Sequence, residues 1–359
     1  MHKQKKILIA PLDWGMGHAT RCIPLIASFI QNNCDVLIAG NEQTNALIKE
    51  QFPSLTYLHL AGYDINYSTK KWTLPFVIGF QIPKIIKRII TEHFWLKKII
   101  KQHQIDAVVS DNRYGLFTKN IPSIFITHQI QIQVPQSIVL QKLVNTINHF
   151  FIRQFTTCWV PDAEQNRLSG NLSIAKNVKN IQYIGILSRL EIMTKPIIKY
   201  DIAIVLSGPE PQRTILENSL LQQMKNTTKR IIFIRGKANA GEIQNQNENL
   251  TILSYASGVE LQEIILSSKI IMSRAGYSTI MDLVKLKKHG IIIPTPGQTE
   301  QEYLGEYLQH KKWFLAQEQY NLDVEKALLT YSTFSFEPLP TYDAALLQHI
   351  IRPFIEDLK

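Results

Sequence analysis

The sequence predicts a chain of two α/β domains, each a parallel sheet with crossover helices. Three observations lead there. A chain of 359 residues exceeds what one hydrophobic core usually supports, so two domains are the natural division. Short β-rich runs alternate with helical stretches, the pattern of parallel strands joined by crossovers. The pattern occurs twice, and each series opens on a strand, a glycine-containing turn and a helix. That arrangement is Rossmann-like, and two such domains are expected to face each other across a cleft at the carboxyl ends of their sheets, where open α/β folds bind ligands.

In the first series, Lys6 to Pro11 reads as a buried strand. The loop Asp13-Trp14-Gly15-Met16-Gly17-His18 leads into an apolar helix from about Arg21 to Gln31. Strands follow at Asp35 to Gly40, Asp106 to Ser110 and Ile121 to Ile126. Two segments break the rhythm by mixing basic, aromatic and aliphatic residues. One runs from Trp72 to Lys101 and includes Phe76, Phe80, Phe94 and Trp95; the other runs from about Ile138 to Phe155. Read as helices, they suit either an ordinary domain surface or a helix lying at a membrane interface. After a linker near Thr194-Lys195-Pro196, the second series starts with a strand at Asp201 to Leu206, a turn at Ser207 to Pro211 and a helix from Gln212 to about Met224. Further strands are expected at Arg230 to Ile234, Leu250 to Leu253, Lys269 to Met272 and Gly290 to Ile293. The division expected is 1–195 for the first domain and 196–342 for the second. Residues 343–359 are expected to form a helix packing back across the hinge.

Composition narrows the function. Hydrophobic content of 45% with 19% charged residues excludes a largely disordered chain. Cys22, Cys34 and Cys158 are odd in number and lack metal-ligand spacing, which argues against a disulfide framework or structural zinc and for a reducing, cytoplasmic setting. No apolar run reaches the roughly 18 residues of a spanning helix. Residues 1–195 hold 22 Lys and Arg against 11 Asp and Glu, whereas residues 196–359 hold 17 against 18. The net charge of +10 therefore belongs to the first half, which suggests an anionic partner there, such as a phospholipid surface at the inner membrane face or a charged acceptor. No nucleic-acid motif accompanies the charge.

The candidate chemistry lies at the strand ends. Gly15-Met16-Gly17-His18 brings small residues to a helix start, where backbone N–H groups can approach an anion or a polar sugar; a simple tight turn remains the other reading. His18 could accept a proton from an acceptor hydroxyl. A lone histidine is more often structural. Asp111, following Val108-Val109-Ser110, should emerge on the same sheet edge and could fix the imidazole tautomer. Ser273-Arg274-Ala275-Gly276-Tyr277-Ser278-Thr279-Ile280-Met281-Asp282 places a glycine turn and hydroxyls at a helix start, with Asp282 further along. The loop Ile293 to Tyr303 opens another helix. Together they could hold a diphosphate by N–H donors and helix dipoles, and a ribose by a carboxylate.

At these residues the chain resembles the GT-B glycosyltransferases, and within them family 28, which includes the peptidoglycan N-acetylglucosaminyltransferases. The resemblance spans nearly the whole chain and is most specific in the second domain. It implies donor contacts from Arg274, Gly276, Ser278, Thr279 and Asp282, with Asp282 in place of a ribose-binding glutamate. It likewise implies contacts from Gln301 and Glu302 near the donor sugar or ribose, from Arg189 at the hinge, and from Gly17 and Gly208 at the two glycine turns. The prolines of Ser207-Gly208-Pro209-Glu210-Pro211 remove backbone donors, which puts a phosphate contact there in question. The resemblance further implies an inverting transfer without metal or other cofactor, from a UDP-linked sugar such as UDP-N-acetylglucosamine to an acceptor hydroxyl. His18 or Asp13 would be the base, and a lipid-linked or glycan acceptor would meet the first domain. Two other readings fit the same architecture: a nucleotide-sugar 2-epimerase, and a non-catalytic sugar-nucleotide binding protein.

Overall fold

The computed structural model describes residues 4–63, 74–135, 137–192, 196–237, 243–256 and 258–358, with the side chains of 74–79 and 243–247 excepted. Trp72, Thr194 and Lys195 lie outside the described residues, as does the Phe76 side chain. The chain forms two compact units. Among the described residues the first takes in 4–63, 76–188 and 342–358, and the second 189–341 together with 74–75 at the start of a helix.

The first unit is built on a parallel sheet of β1 (Lys6–Pro11), β2 (Asp35–Gly40), β3 (Thr56–His59), β4 (Ala107–Asp111), β5 (Ser123–Ile126), β6 (Thr157–Val160) and β7 (Ile181–Tyr183). Its strand order is β3-β2-β1-β4-β5-β6-β7. Strands β1, β4 and β5 are apolar runs without alternation because both faces are covered. Leu8, Leu37, Val108 and Leu96 pack in one core cluster, and Phe125, Phe155 and Cys158 in another. The helices are α1 (Met16–Gln31), α2 (Glu42–Lys49), α3 (Leu74–His103) and α4 (Ile138–Ile152). The last helix of the chain, α10 (Leu346–Glu356), lies in this unit, where Phe354 packs against Phe29 of α1 and Trp159 of β6.

The second unit repeats the plan with β8 (Tyr200–Val205), β9 (Ile231–Ile234), β10 (Ile243–Asn247), β11 (Leu250–Leu253), β12 (Ser268–Arg274), β13 (Ile291–Ile293) and β14 (Leu315–Ala316). The order is β10-β11-β9-β8-β12-β13-β14. Apart from β10, an antiparallel edge strand paired with β11, this is the order of a doubly wound dinucleotide-type sheet. Its helices are α5 (Gln212–Met224), α6 (Gly258–Leu266), α7 (Tyr277–Lys285), α8 (Thr299–His310) and α9 (Val324–Thr333). Ile204, Leu216, Phe233, Met272 and Ile291 form its core. Both units are thus Rossmann-like, as the alternation of strand and helix predicts.

One boundary differs in a way that matters. Helix α1 begins at Met16, five residues before the expected start at Arg21. Gly15 takes φ 87° at the N-cap, a conformation that glycine adopts without a Cβ penalty, and the helix forms directly after it. Gly17 and His18 are therefore in the first helical turn, not in a loop.

Candidate functional site

In the first unit β1 and β4 pair in register, with Pro11 opposite Asp111 at their carboxyl ends. Helix α1 starts beside that edge, so His18 and Arg21, three residues apart, share a helix face. Both reach Asp111. Arg21 Nε donates to Asp111 Oδ2 at 2.9 Å and its Nη2 donates to Oδ1, while His18 Nδ1 lies 3.1 Å from Oδ2. The Cys22 thiol donates to the same oxygen at 3.7 Å. Asp111 is fully buried, and burial alone would resist its ionisation. Arg21, and after it His18, outweigh that cost and hold its carboxyl well below the usual carboxylate range. His18 keeps 15% of its side-chain surface exposed against none for Asp111, so the imidazole is the member of the group that an incoming molecule can meet.

Arg21 was not among the residues the sequence singles out. The signal available was its spacing, one helical turn after His18. Its Nη2 stands 2.8 Å from His18 Nδ1, so that nitrogen faces a donor and an acceptor together. A guanidinium can only donate. With its proton on Nδ1 the ring donates to Asp111; with Nδ1 bare it accepts from Arg21 instead.

Asp13 has other partners. Both its oxygens lie 3.1 Å from the Tyr63 N–H, and Arg113 Nη2 is 3.6 Å from Oδ1; the side chain is 5% exposed. Arg113, fully buried, donates to Pro11 O at 2.9 Å, Ala61 O at 3.2 Å and Glu92 Oε1 at 2.6 Å, and Tyr63 donates to Glu92 Oε2 at 2.8 Å. Burial raises the Glu92 carboxyl above its ordinary range although Arg113 and Tyr63 pull the other way. This cluster ties the segment after β3 to the loop after β1. A Cβ at Gly62 would come within 2.0 Å of Asp13 Oδ2, so any larger residue there would displace the Asp13 carboxylate. The structure brings His18 and Asp111 together and gives Asp13 a bracing task.

In the second unit Arg274 ends β12 and is 1% exposed. Its Nη2 donates to Gln212 O at 2.7 Å, and its Nη1 lies 3.4 Å from both Ile293 O and Pro294 O. No carboxylate pairs with it among the described residues, and its Nε is buried without a partner. Burial pulls its pKa down to about 10; Tyr320 opposes the shift and Arg213 adds to it. Arg274 therefore braces α5 against the ends of β12 and β13.

Gly276 caps α7 with extended backbone and no side-chain hydrogen bond, and no acidic residue occupies the first turn. Ser278, Thr279 and Asp282 are half-buried along this helix. Gln301 Oε1 accepts from Thr295 N and Glu302 Oε1 from Gly297 N, each at 2.9 Å, so both side chains hold the loop after β13. At the other turn, Gly208 has φ 101°, and a Cβ there would sit 3.8 Å from Thr295 Oγ1. There Glu210 Oε1 accepts from Arg213 Nε at 2.8 Å, and its Oε2 accepts from Thr214 N at 3.2 Å. The positive end of α5 is thus met by the chain's own carboxylate, whereas the first turn of α7 holds no acidic residue of its own. Arg189 is half-buried, with its Nε lacking a partner among the described residues. Those residues contain no group of three His, Cys, Asp or Glu side chains able to hold a metal ion.

Two Rossmann-like units in one chain are the fold of the GT-B class. Residues 204–342 match the Glycosyltransferase family 28 C-terminal domain. The chain as a whole shares its fold with solved glycosyltransferases of the GT-B type. Among solved structures, MurG of Acinetobacter baumannii is 15% identical, with 99% of this chain and 100% of that chain covered and a TM-score of 0.54. The glycosyltransferase SnogD of Streptomyces nogalater is 11% identical over 99% and 96% of the two chains, TM-score 0.60. SsfS6 of Streptomyces sp. SF2575, solved with thymidine diphosphate, is 12% identical over 97% and 94%, TM-score 0.58. At such identities the likeness is one of fold. No curated protein matches the sequence.

Proposed function

We propose that the chain moves a sugar from a UDP-linked donor to an acceptor hydroxyl, inverting the anomeric carbon and using no bound metal ion. The observation that carries this reading is the His18–Asp111 contact of 3.1 Å at the carboxyl edge of the first sheet, in a chain whose residues 204–342 match the family 28 C-terminal domain. His18 Nε2 takes the acceptor proton while Nδ1–H donates to Asp111, which orients the ring and stabilises the imidazolium. The acceptor oxygen attacks the anomeric carbon from the face opposite the diphosphate. The bond from that carbon to the phosphate oxygen breaks, and its electron pair leaves with the diphosphate. The N-terminus of α7 and the buried Arg274 charge behind it favour the departing anion, and Asp282 accepts from the ribose hydroxyls. The thymidine diphosphate bound by SsfS6 supports a nucleoside diphosphate as the ligand of this fold.

The acceptor is lipid-linked or a glycan, received by the first unit at the cytoplasmic face of an anionic membrane. The excess of 22 Lys and Arg over 11 Asp and Glu in residues 1–195 supports that contact. The test is UDP release from UDP-N-acetylglucosamine with and without lipid and glycan acceptor extracts, alongside a thermal-shift panel of nucleotides. Release that depends on acceptor is expected. Interconversion of the nucleotide sugar without acceptor would make the chain an epimerase. Nucleotide binding with no turnover on any extract would make it a binding protein.

A further inference from the structure

His18, Asp111 and Arg21 form a group of three in which a carboxylate is shared between two cationic-type partners. Arg21 lies side-on to the carboxylate, with Nε donating to Oδ2 at 2.9 Å and Nη2 donating to Oδ1, and its Nη2 is also 2.8 Å from His18 Nδ1. The ring nitrogen therefore has a carboxylate oxygen at 3.1 Å and a guanidinium nitrogen at 2.8 Å. At such matched distances the two act on a charged imidazole with opposite sign and comparable size. A carboxylate alone would pull the histidine toward its charged form, and a base that already holds a proton cannot take another. Arg21 is 3% exposed and follows His18 by one helical turn, so its guanidinium is held against the ring.

The other titratable and charged groups of the elements that meet at this edge leave that balance as it is. Burial pushes the Cys22 thiol of α1 well above its ordinary range, and Asp111 adds to the shift, so the thiol stays neutral. Asp13, in the loop after β1, and Arg113, after β4, are engaged with each other and with Tyr63 N–H and Glu92. The helix itself works in the same direction as Arg21. His18 is the third residue of α1, no acidic side chain occupies the first turn, and the positive end of a helix disfavours a cation.

We infer that Arg21 is the positioning residue of the base: by matching the Asp111 charge it keeps the His18 imidazole uncharged and ready for the acceptor proton, while Asp111 still orients the ring. This rests on the reading of His18 as the base and deepens it by naming what sets the charge of the ring. The proton then moves from the acceptor hydroxyl to Nε2 as the acceptor oxygen bonds to the anomeric carbon, so the ring becomes charged only in that step.

Two readouts test the inference. The first is the ring-nitrogen NMR signal of His18 in the histidine-labelled free chain across pH, assigned by its absence from His18→Gln. The wild-type ring is expected to be uncharged at pH ~7. Arg21→Gln should move its titration midpoint up by about one pH unit, a tenfold gain in proton affinity, and Arg21→Lys, which keeps the charge, should stay within about threefold of wild type. The second readout is the pH profile of UDP release from UDP-N-acetylglucosamine with an acceptor extract. The acid limb of kcat/KM in Arg21→Gln should shift with the ring, and its kcat should return to wild type at alkaline pH with an unchanged donor KM. A merely structural Arg21 would lower kcat at every pH and leave the midpoint in place. A midpoint that stays or falls in Arg21→Gln overturns the inference, as does a wild-type ring still charged at pH ~7, a result that needs no variant to fold. A midpoint that rises while the acid limb stays put overturns His18 as the base and leaves the charge balance standing.

Discussion

The two sheets share a strand order, and the strand next to the first strand ends in opposite charges: Asp111 on β4 and Arg274 on β12. Each buried ion is clamped to the first turns of the helix that follows the first strand, Asp111 to His18 and Arg21 of α1, and Arg274 to Gln212 O of α5. They are neutralised differently. Asp111 has a full countercharge in Arg21, whereas Arg274 has only carbonyl oxygens among the described residues. One topological position therefore holds a carboxylate paired with a histidine and an arginine in the first unit, and a guanidinium met by carbonyl oxygens in the second. The fold fixes where an ion sits, and its partners decide what it can do.

The largest expected effect tests the pairing itself. Asp111→Ala leaves Arg21 buried without its countercharge and should cost the first unit about 3 to 5 kcal/mol in chemical denaturation. A loss below about 1 kcal/mol would mean that water or another group readily replaces the carboxylate. His18→Ala is expected to leave folding intact and to lower turnover about a hundredfold or more, with little change in UDP affinity. If Asp13→Asn abolishes activity and His18→Ala does not, the base lies in the other cluster. On the donor side, Asp282→Ala should weaken UDP binding by about 1.5 to 3 kcal/mol in calorimetry. Unchanged affinity would remove Asp282 from the ribose site.

The smallest effect is a dependence on acid pH. The folded-state pKa of Asp111 is depressed, so its stabilisation is complete above the unfolded carboxylate value of about 3.9 and is lost as pH falls below that. Asp201, held down to about 2 chiefly by Lys269, gives the second unit a similar but more exposed contribution. Thermal melts between neutral pH and pH ~3 should therefore show a steeper acid loss in wild type than in Asp111→Asn. Parallel curves would show that Asp111 is not linked to folding in this range.

By itself the sequence determined the two α/β units, because unbroken apolar runs such as Ile7 to Ala10 and Ile202 to Val205 can be buried on both faces only in covered parallel sheets. It also determined that His18 and Asp111 reach one sheet edge, since a glycine turn after β1 and the end of β4 are local features. Tertiary structure decided the rest, because those choices depend on partners far along the chain. It set Arg21 against a carboxylate 90 residues away. It turned Gln301 and Glu302 onto the loop after β13, whose N–H groups needed acceptors, and it let Glu210 close the end of α5 that two prolines had stripped of donors. The clearest case is α4. The composition of residues 138–155 shows an amphipathic helix, but which face turns inward was settled by the backbone of residues 129–132, whose polar groups required the Asn145, Asn148 and His149 side chains and so left the apolar face outside.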